Sequence, residues 1–342
     1  MTDKPSLQGH VVAVDAGRYR RDGLPTERAA WEAAGLTLTV AAAQTEEEIV
    51  AAAADADVVT YMGLYTPFTA QVLAQLPRCR LVARYGIGVD TVDIDAATRL
   101  GIMVSNAAEY CVPEVADHAV ALILSLARRI AYLDRQVRAN RWSETLAATG
   151  PVRRIGTQTV GLVGFGRIAR RVASNLRPMV GKLLAYDPYV APAAAAELGV
   201  ELVTLERLLA DSDYVSVHTP LMAATRGLIG AAELAQMRPT AYLVNTSRGP
   251  VVDEAALIAA LQAGQIAGAG LDVFDPEPLV ADSPLRHLEN VVLTPHVAAN
   301  SVEAIEDLTQ SVIHTVLETM AGRRPPYLMN PTVVPRTGAT VG

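Results

Sequence analysis

The sequence predicts an α/β protein made of two doubly wound parallel-sheet domains. Three observations predict it. Strand-like and helix-like patterns alternate through residues 10–106, and the alternation resumes after Asp187. Between them, residues 160–187 run strand, glycine turn, helix, strand and acid in that order. The chain has 342 residues, 51% of them apolar, which is enough for two ordinary cores.

The first half reads as follows. His10–Asp15 is a strand and Thr26–Ala34 a helix ending at Gly35. Leu36–Val40 is a strand. Thr45-Glu46-Glu47-Glu48 is a capping box that opens a helix to Ala54. Asp57–Met62 is a strand, Thr69–Leu76 a helix and Arg80–Tyr85 a strand. Asp93–Leu100 is a helix closed by Gly101, and Ile102–Ser105 is a strand. Such a rhythm means a parallel sheet covered by helices. Ligands of these sheets bind at the carboxyl ends of the strands. Two loops stand out there: Met62-Gly63-Leu64-Tyr65, and Arg84-Tyr85-Gly86-Ile87-Gly88-Val89-Asp90. The two glycines of the second let backbone N–H groups crowd an anion, although a plain βα turn has the same composition.

Pro113–Ile130 reads as one long helix. Pro113 suits its first turn, and Val115, Ala119, Leu122, Leu126 and Ile130 form one stripe at helical spacing. Asp117 and His118 interrupt the pattern. Adjacent residues do not share a helix face, so the pair is expected to be structural or at a domain interface rather than a metal site. Arg138–Gly156 is expected to be irregular, forming an arm or subunit contact.

The stretch from Val160 to Asp187 organises the chain. The apolar run Thr159–Val163 leads into Gly164-Phe165-Gly166-Arg167-Ile168-Ala169, which opens an amphipathic helix. Lys182–Tyr186 is a second strand, ending at Asp187. This is a dinucleotide fingerprint with Ala169 in the third glycine position. Gly164 permits the tight turn, and Gly166 lets backbone approach a pyrophosphate. The helix starting near Arg167 aims free N–H groups and its positive end at that anion. Asp187 can accept hydrogen bonds from ribose hydroxyls and would repel a 2′-phosphate, so NAD is favoured over NADP.

The βα rhythm then continues. Glu201–Val203, Asp213–Val217, Ala241–Asn245, Gly268–Val273 and Val291–Leu293 read as strands. Leu205–Ala210, Glu233–Met237, Glu254–Gly264 and Ser301–Met320 read as helices. The Ala-rich run at 191–196 is low in complexity. The tail from Pro325, rich in Pro, Thr and Gly, is expected to be partly disordered.

Arg248, Asp272, Glu277 and His296 each lie at or just past the carboxyl end of a strand in this half. Those ends converge on the crevice where a nicotinamide would lie. Reducing a ketone by hydride requires something to hold the substrate, something to protonate the oxygen and something to tune that donor. A guanidinium binds a carboxylate bidentately. Histidine titrates near working pH, and a carboxylate beside a histidine favours its protonated form. Arg248, His296 and Glu277 supply one of each, and Asp272 can accept a hydrogen bond from the nicotinamide amide. Taken singly, each has an ordinary reading: Arg248 as a cap or ion-pair partner, His296 as an exposed loop residue, Glu277 as a solvated turn residue.

Composition excludes other classes. The formal net charge is −7, and no Lys/Arg cluster is dense enough for nucleic acid. The two cysteines, Cys79 and Cys111, are not spaced for zinc or a disulfide framework. The N-terminus carries no signal pattern, and the longest apolar run, Ala119–Leu124, is too short to cross a bilayer. The expectation is a soluble, cytoplasmic protein without metal, nucleic-acid or membrane partners.

The stretches RYGIGVDTVDIDAAT (84–98), YCVPEVADHAVALILSLAR (110–128), VGLVGFGRIAR (160–170), VSVHTPL (215–221), YLVNTSRGPVVDEAAL (242–257), GAGLDVFDPEP (268–278) and LTPHVA (293–298) together resemble the D-isomer-specific 2-hydroxyacid dehydrogenases. That family includes phosphoglycerate dehydrogenase, the glyoxylate/hydroxypyruvate reductases and the C-terminal binding protein corepressors. The likeness runs from about Asp55 to Gly322. It implies that Arg248 binds the substrate carboxylate and carbonyl, and that His296 is the acid/base with Glu277 as its partner. It implies that Arg167, Ile168, Asp187, Thr219, Thr246 and Asp272 contact NAD beside Gly164 and Gly166. The Gly86-Ile87-Gly88 loop would offer N–H groups to the substrate carboxylate, and Met62 would help to shape the pocket.

The resemblance also implies a Rossmann coenzyme domain, 107–300, inserted into a flavodoxin-like substrate domain, 1–106 plus 301–342, with hinges near 106 and 300. It implies a homodimer joined through the coenzyme domains. Ala299 departs from the corepressor-like relatives, which usually carry Trp there. Its small side chain enlarges or reshapes the pocket. The activity implied is interconversion of a 2-keto acid and a D-2-hydroxy acid with NAD. The alternative is an NAD(H)-sensing dimeric binding protein with little turnover. A more distant reading is a dehydrogenase of formate or phosphite on the same scaffold.

Overall fold

The computed structural model describes residues 7–16, 22–148 and 151–336. The chain divides into two compact units, Met1–Cys111 with Ser301–Gly342, and Val112–Asn300.

The first unit holds five strands, β1 (Gly9–Val14), β2 (Leu36–Val40), β3 (Val58–Tyr61), β4 (Leu81–Arg84) and β5 (Met103–Ser105). They lie in the order β2-β1-β3-β4-β5, every pair parallel. This is the doubly wound order of flavodoxin-like sheets. Alternate residues point to opposite faces, and both faces are covered. Val12, Val14, Val59 and Val82 join Ile49, Val72 and Leu73 in one core. Val11, Ala13, Val58 and Leu81 join Trp31, Val312 and Val316 in the other. That is why these strands read as continuous apolar runs. The second core depends on the last helix, Val302–Met320, whose N-cap Ser301 accepts from Ala304 N–H at 2.8 Å. The predicted capping box of the Glu46–Ala53 helix is formed in both directions between Thr45 and Glu48.

The second unit holds β6 (Thr159–Val163), β7 (Lys182–Tyr186), β8 (Glu201–Leu202), β9 (Tyr214–Val217), β10 (Tyr242–Asn245), β11 (Gly268–Leu271) and β12 (Val291–Leu293). Their order is β12-β11-β10-β9-β6-β7-β8, again all parallel. The chain winds outward one way through β6, β7 and β8 and the other way through β9 to β12, so the switch point lies between β6 and β9. This is the six-stranded dinucleotide-binding order with a seventh strand added. The Arg167–Leu176 helix buries Ala169, Val172, Ala173 and Leu176, one stripe at helical spacing. They pack with Ala116, Ala119, Leu122 and Ile123 of the Val112–Ala127 helix.

Two expectations need correction. The helix after Pro113 stops at Ala127, because Arg129 takes a left-handed conformation (φ 55°) and starts a second helix, Ile130–Arg138. The stretch expected to be irregular contains another helix, Trp142–Ala148; residues 149 and 150 lie outside the described residues. No glycine or proline marks the break at 128–129, so composition offers no stop signal. The Ala-rich run forms a short helix, Pro192–Ala196. The tail is fastened as far as Arg336. Asn330 is buried, accepts from Val104 N–H at 3.0 Å and donates to the Ile102 carbonyl at 2.9 Å. Arg336 donates to the carbonyls of Leu100 and Leu76, each at 2.6 Å. These polar side chains cap carbonyls, a use that a count of Pro, Thr and Gly does not reveal. Residues 337–342 lie outside the described residues. Among the described residues no helix is long and apolar enough to cross a membrane.

Candidate active site

Because every pair in the second sheet is parallel, the residues that follow its strands share one edge. Gly164 sits there in a conformation open to glycine (φ 87°), and a Cβ would lie 3.0 Å from Thr219 Cγ2. Gly166 is the N-cap of the next helix, and a Cβ on it would meet nothing within 4 Å. The two glycines therefore differ: conformation requires the first, and the second leaves open space above the helix N-terminus. Arg167 and Ile168 form the first helical turn, Arg167 exposed and Ile168 half-buried. Asp187 accepts from Phe165 N–H at 2.8 Å and from Tyr189 N–H at 2.9 Å. Its carboxylate is thus fixed against the fingerprint loop, where the sequence places a ribose contact.

Thr219 and Thr246 follow β9 and β10. Their hydroxyl oxygens are buried and have no hydrogen-bond partner among the described residues. An unsatisfied buried hydroxyl costs on the order of 1–3 kcal/mol. Thr219 beside the fingerprint and Thr246 at the end of the next strand along fit a polar ligand lying across this edge, and a dinucleotide is such a ligand. His218, next to Thr219, makes a 2.9 Å contact with the Ser216 hydroxyl. Burial pushes its imidazole down to about 4, so it is neutral at working pH.

Arg248 follows β10 in extended backbone, and its Nη1 donates to the Ser247 carbonyl at 2.8 Å. Two neighbours organise this loop. Asn245 donates to the Arg248 carbonyl at 2.9 Å and accepts from Ser247 N–H and Oγ. Gly249 lies against the next loop so closely that a Cβ would fall 1.9 Å from the Phe274 carbonyl oxygen. Any side chain there would force the Arg248 loop off the 274–277 segment.

That segment carries Glu277. Its Oε1 accepts from Phe274 N–H at 2.9 Å, and its Oε2 lies 2.8 Å from Nδ1 of His296. Both side chains are largely buried, 24% exposed for His296 and 11% for Glu277, and so only partly screened from each other. Glu254 lies on the other side of the loop and accepts from Asp275 N–H at 2.9 Å. Burial pushes its carboxyl above the usual range, and the charges of Asp275 and Glu277 push the same way against that hydrogen bond.

Asp272, which the sequence assigns to the coenzyme, is fully buried. Its carboxylate is taken up by the loop that carries His296. It accepts from the Thr294 hydroxyl at 2.6 Å and from Val297 and Ala298 N–H at 3.0 Å each, while its carbonyl accepts from His296 N–H at 2.8 Å. His296 itself sits at φ 54°, a conformation that costs a non-glycine residue and persists only where surroundings enforce it. Asp117 and His118 diverge, as adjacent helix residues should. Asp117 accepts from Asn175 Nδ2 at 2.7 Å, and His118 Nε2 lies 2.9 Å from Thr294 Oγ1. Both partners belong to the same unit, in keeping with the structural reading of the pair. No group of three potential metal ligands occurs among the described residues.

In the first unit, the loop after β4 is tied down through its carbonyls. Arg84 Nε donates to Gly88 at 3.1 Å, Asn106 Nδ2 to Ile87 at 2.6 Å and Ala107 N–H to Gly86 at 3.0 Å. No hydrogen bond among the described residues uses the N–H of Gly86, Ile87 or Gly88. Successive N–H groups without a partner are what an anion nest requires. Met62, after β3, is half-buried against the second core of this unit. Asn106, Asn245, Glu254 and Thr294 are the polar residues that sequence reasoning passes over. One signal is available for two of them: Asn106 and Thr294 each directly follow a predicted strand at the ligand-binding edge.

The family model described as D-isomer specific 2-hydroxyacid dehydrogenase, NAD binding domain, matches residues 120–298. A glyoxylate reductase of Korarchaeum cryptofilum is 43% identical over 275 residues, 79% of this chain and 82% of that one. A D-3-phosphoglycerate dehydrogenase of Mycobacterium leprae is 42% identical over 283 residues, 83% of this chain but 53% of the relative. The chain therefore spans about half the length of such phosphoglycerate dehydrogenases. Among solved structures, the holo form of Rhodotorula graminis D-mandelate dehydrogenase superposes with a TM-score of 0.85 at 27% identity, covering 96% of this chain and 100% of that one. The Aquifex aeolicus D-lactate dehydrogenase complexed with NAD and lactic acid gives 0.80 at 28% identity, covering 91% and 96%.

Proposed function

The chain belongs to the D-isomer-specific 2-hydroxyacid dehydrogenase family, and from that premise we propose that it interconverts a small 2-keto acid and the D-2-hydroxy acid with NAD. The observation that carries the reading is the 2.8 Å contact between His296 Nδ1 and Glu277 Oε2. A pure nucleotide sensor has no use for that pair. With Nδ1 committed to Glu277, Nε2 is the ring atom left to give the substrate oxygen its proton or to remove it. A nicotinamide, when bound, supplies or accepts the hydride. Arg248 binds the substrate carboxylate and polarises the adjacent carbonyl. In the first unit, the N–H groups of Gly86, Ile87 and Gly88 suit an anion such as a carboxylate, and Met62 lies on the same sheet edge.

For the coenzyme, Gly164, Gly166, Arg167 and Ile168 receive the pyrophosphate, Asp187 the ribose, and the hydroxyls of Thr219 and Thr246 the remaining polar groups. Asp272 acts at this site through the loop it holds. Asp187 makes NAD the preferred coenzyme over NADP, since a 2′-phosphate would meet its carboxylate. The protein works in the cytoplasm as a homodimer joined through the 112–300 unit. Exposed Ile130, Val137 and Trp142 supply apolar surface for that contact, and light scattering on the purified protein tests it.

The test of function is NADH oxidation against glyoxylate, hydroxypyruvate, pyruvate, phenylpyruvate, 2-ketoisocaproate and 3-phosphohydroxypyruvate. Turnover with a clear preference is expected. Tight NADH binding with no turnover on any of them would return the protein to the sensor reading.

A further inference from the structure

We propose that His118, on the Val112–Ala127 helix, is a positioning residue for the acid–base His296, acting through Thr294 and Asp272. The inference rests on the reading of His296 given above. Nothing in the assigned reaction requires a histidine at 118, yet its ring is directed at the loop that carries the reaction's proton.

The contacts have a direction. Asp272 is buried, and as a carboxylate it only accepts. The Thr294 hydroxyl lies 2.6 Å from Asp272 Oδ1 and donates its one proton there. Thr294 Oγ1 is then an acceptor towards His118 Nε2 at 2.9 Å, which places the ring's donor on Nε2. His118 Nε2 also lies 3.6 Å from Asp272 Oδ1, close enough for attraction and too long for a hydrogen bond. The chain therefore runs from the helix through Thr294 to Asp272. Asp272 in turn gathers Val297 and Ala298 N–H with its carboxylate and His296 N–H with its carbonyl.

Three consecutive residues of the catalytic loop hang on one buried acid, and His118 braces the outer end of that acid's hydrogen-bonding shell. The bracing has something to oppose, because His296 is held at φ 54°. Asp117 does not share the task. It points away to Asn175 on the Arg167–Leu176 helix, so the two neighbours pin their helix to two different elements.

Loss of one hydrogen bond of this kind corresponds to roughly a tenfold effect. The experiment compares wild type with H118L, which removes the donor, and H118Q, whose amide keeps a donor at similar reach. Two readouts are taken. Amide hydrogen exchange of Val297 and Ala298 is measured in the protein without added nucleotide. H118L should speed exchange at both about tenfold, H118Q should stay within about twofold of wild type, and the amides of β9 and β10 should be unchanged.

Steady-state reduction of a keto acid should show kcat about tenfold lower in H118L with the KM for NADH unchanged, and near wild type in H118Q. Unchanged exchange at Val297 and Ala298 in H118L, or equal loss in H118L and H118Q, would overturn the proposal. If wild type has no turnover, the functional reading fails and the exchange data alone decide the role of His118. If H118L does not fold, T294V against T294S makes the same comparison, with T294S expected to keep wild-type exchange and T294V to lose it; equal behaviour of the two overturns it.

Discussion

The carboxyl edges of the two sheets use polar residues in opposite ways. Past the strands of the seven-stranded sheet, the side chains of His296 and Arg248 carry the chemistry, while backbone N–H groups of the 272–298 stretch are taken up by acids. Phe274 N–H goes to Glu277, and Val297 and Ala298 N–H go to Asp272. Past β4 of the five-stranded sheet, Arg84 and Asn106 spend their side chains on carbonyls, and backbone N–H groups are what remains. One edge presents titratable chemistry and the other presents fixed dipoles. Hydride reduction of a keto acid needs both, a proton at the oxygen and a neutralised carboxylate. The two edges therefore fail differently when mutated.

The largest effect is expected on the side-chain edge. His296→Ala should lower kcat by about 10²–10⁴, the usual weight of general acid–base catalysis, with NADH affinity by fluorescence titration unchanged. Lost NADH affinity would give the histidine a structural role and blur the contrast. Arg248→Ala should lower kcat/KM about 100-fold, mostly through KM. Arg248→Lys should recover little of it, because an ammonium cannot make the bidentate contact. Recovery with lysine would mean that charge alone suffices.

His218 shows that a histidine at this edge need not be chemical. Its folded value, about 4, lies below the ordinary 6.5. Between those values the unfolded chain binds more protons, so the contribution to stability is full above about pH 6.5 and is lost as pH falls towards about 4. Allowing for its partial exposure, the loss is roughly 2 kcal/mol. Urea midpoints at pH 7 and 4.5 should differ by less in His218→Gln than in wild type, and an equal difference would remove His218 from the account. Glu277→Gln comes next, with kcat down about tenfold as a charge-assisted hydrogen bond becomes a neutral one. The smallest effect belongs to the other edge. Asn106→Ala should raise the KM for keto acid about fivefold by releasing the Ile87 carbonyl, with kcat unchanged. A fall in kcat alone would place Asn106 with the chemistry and erase the distinction.

The same contrast explains what is legible in the sequence. Thr159–Val163, Lys182–Tyr186 and Leu36–Val40 coincide with their predicted bounds because glycine punctuation and apolar pattern agree there. Residues whose own side chains carry chemistry are visible, since histidine, arginine and glutamate at strand ends are few. Those that act by holding backbone are not. Asp272 reads from its position as a ligand contact, while its hold on the 294–298 loop leaves no mark, and His118 reads as half of a structural or domain-interface pair. A sequence states which groups a side chain owns but not which backbone atoms lie within reach. The break at Arg129 is hidden for a related reason: a left-handed arginine has no compositional mark.

The central claim is tested most directly by reducing a 2-keto acid with NADH and determining the configuration of the product. The account predicts a D-2-hydroxy acid formed in step with NAD. An L-product, or NADH bound without any product, would contradict it.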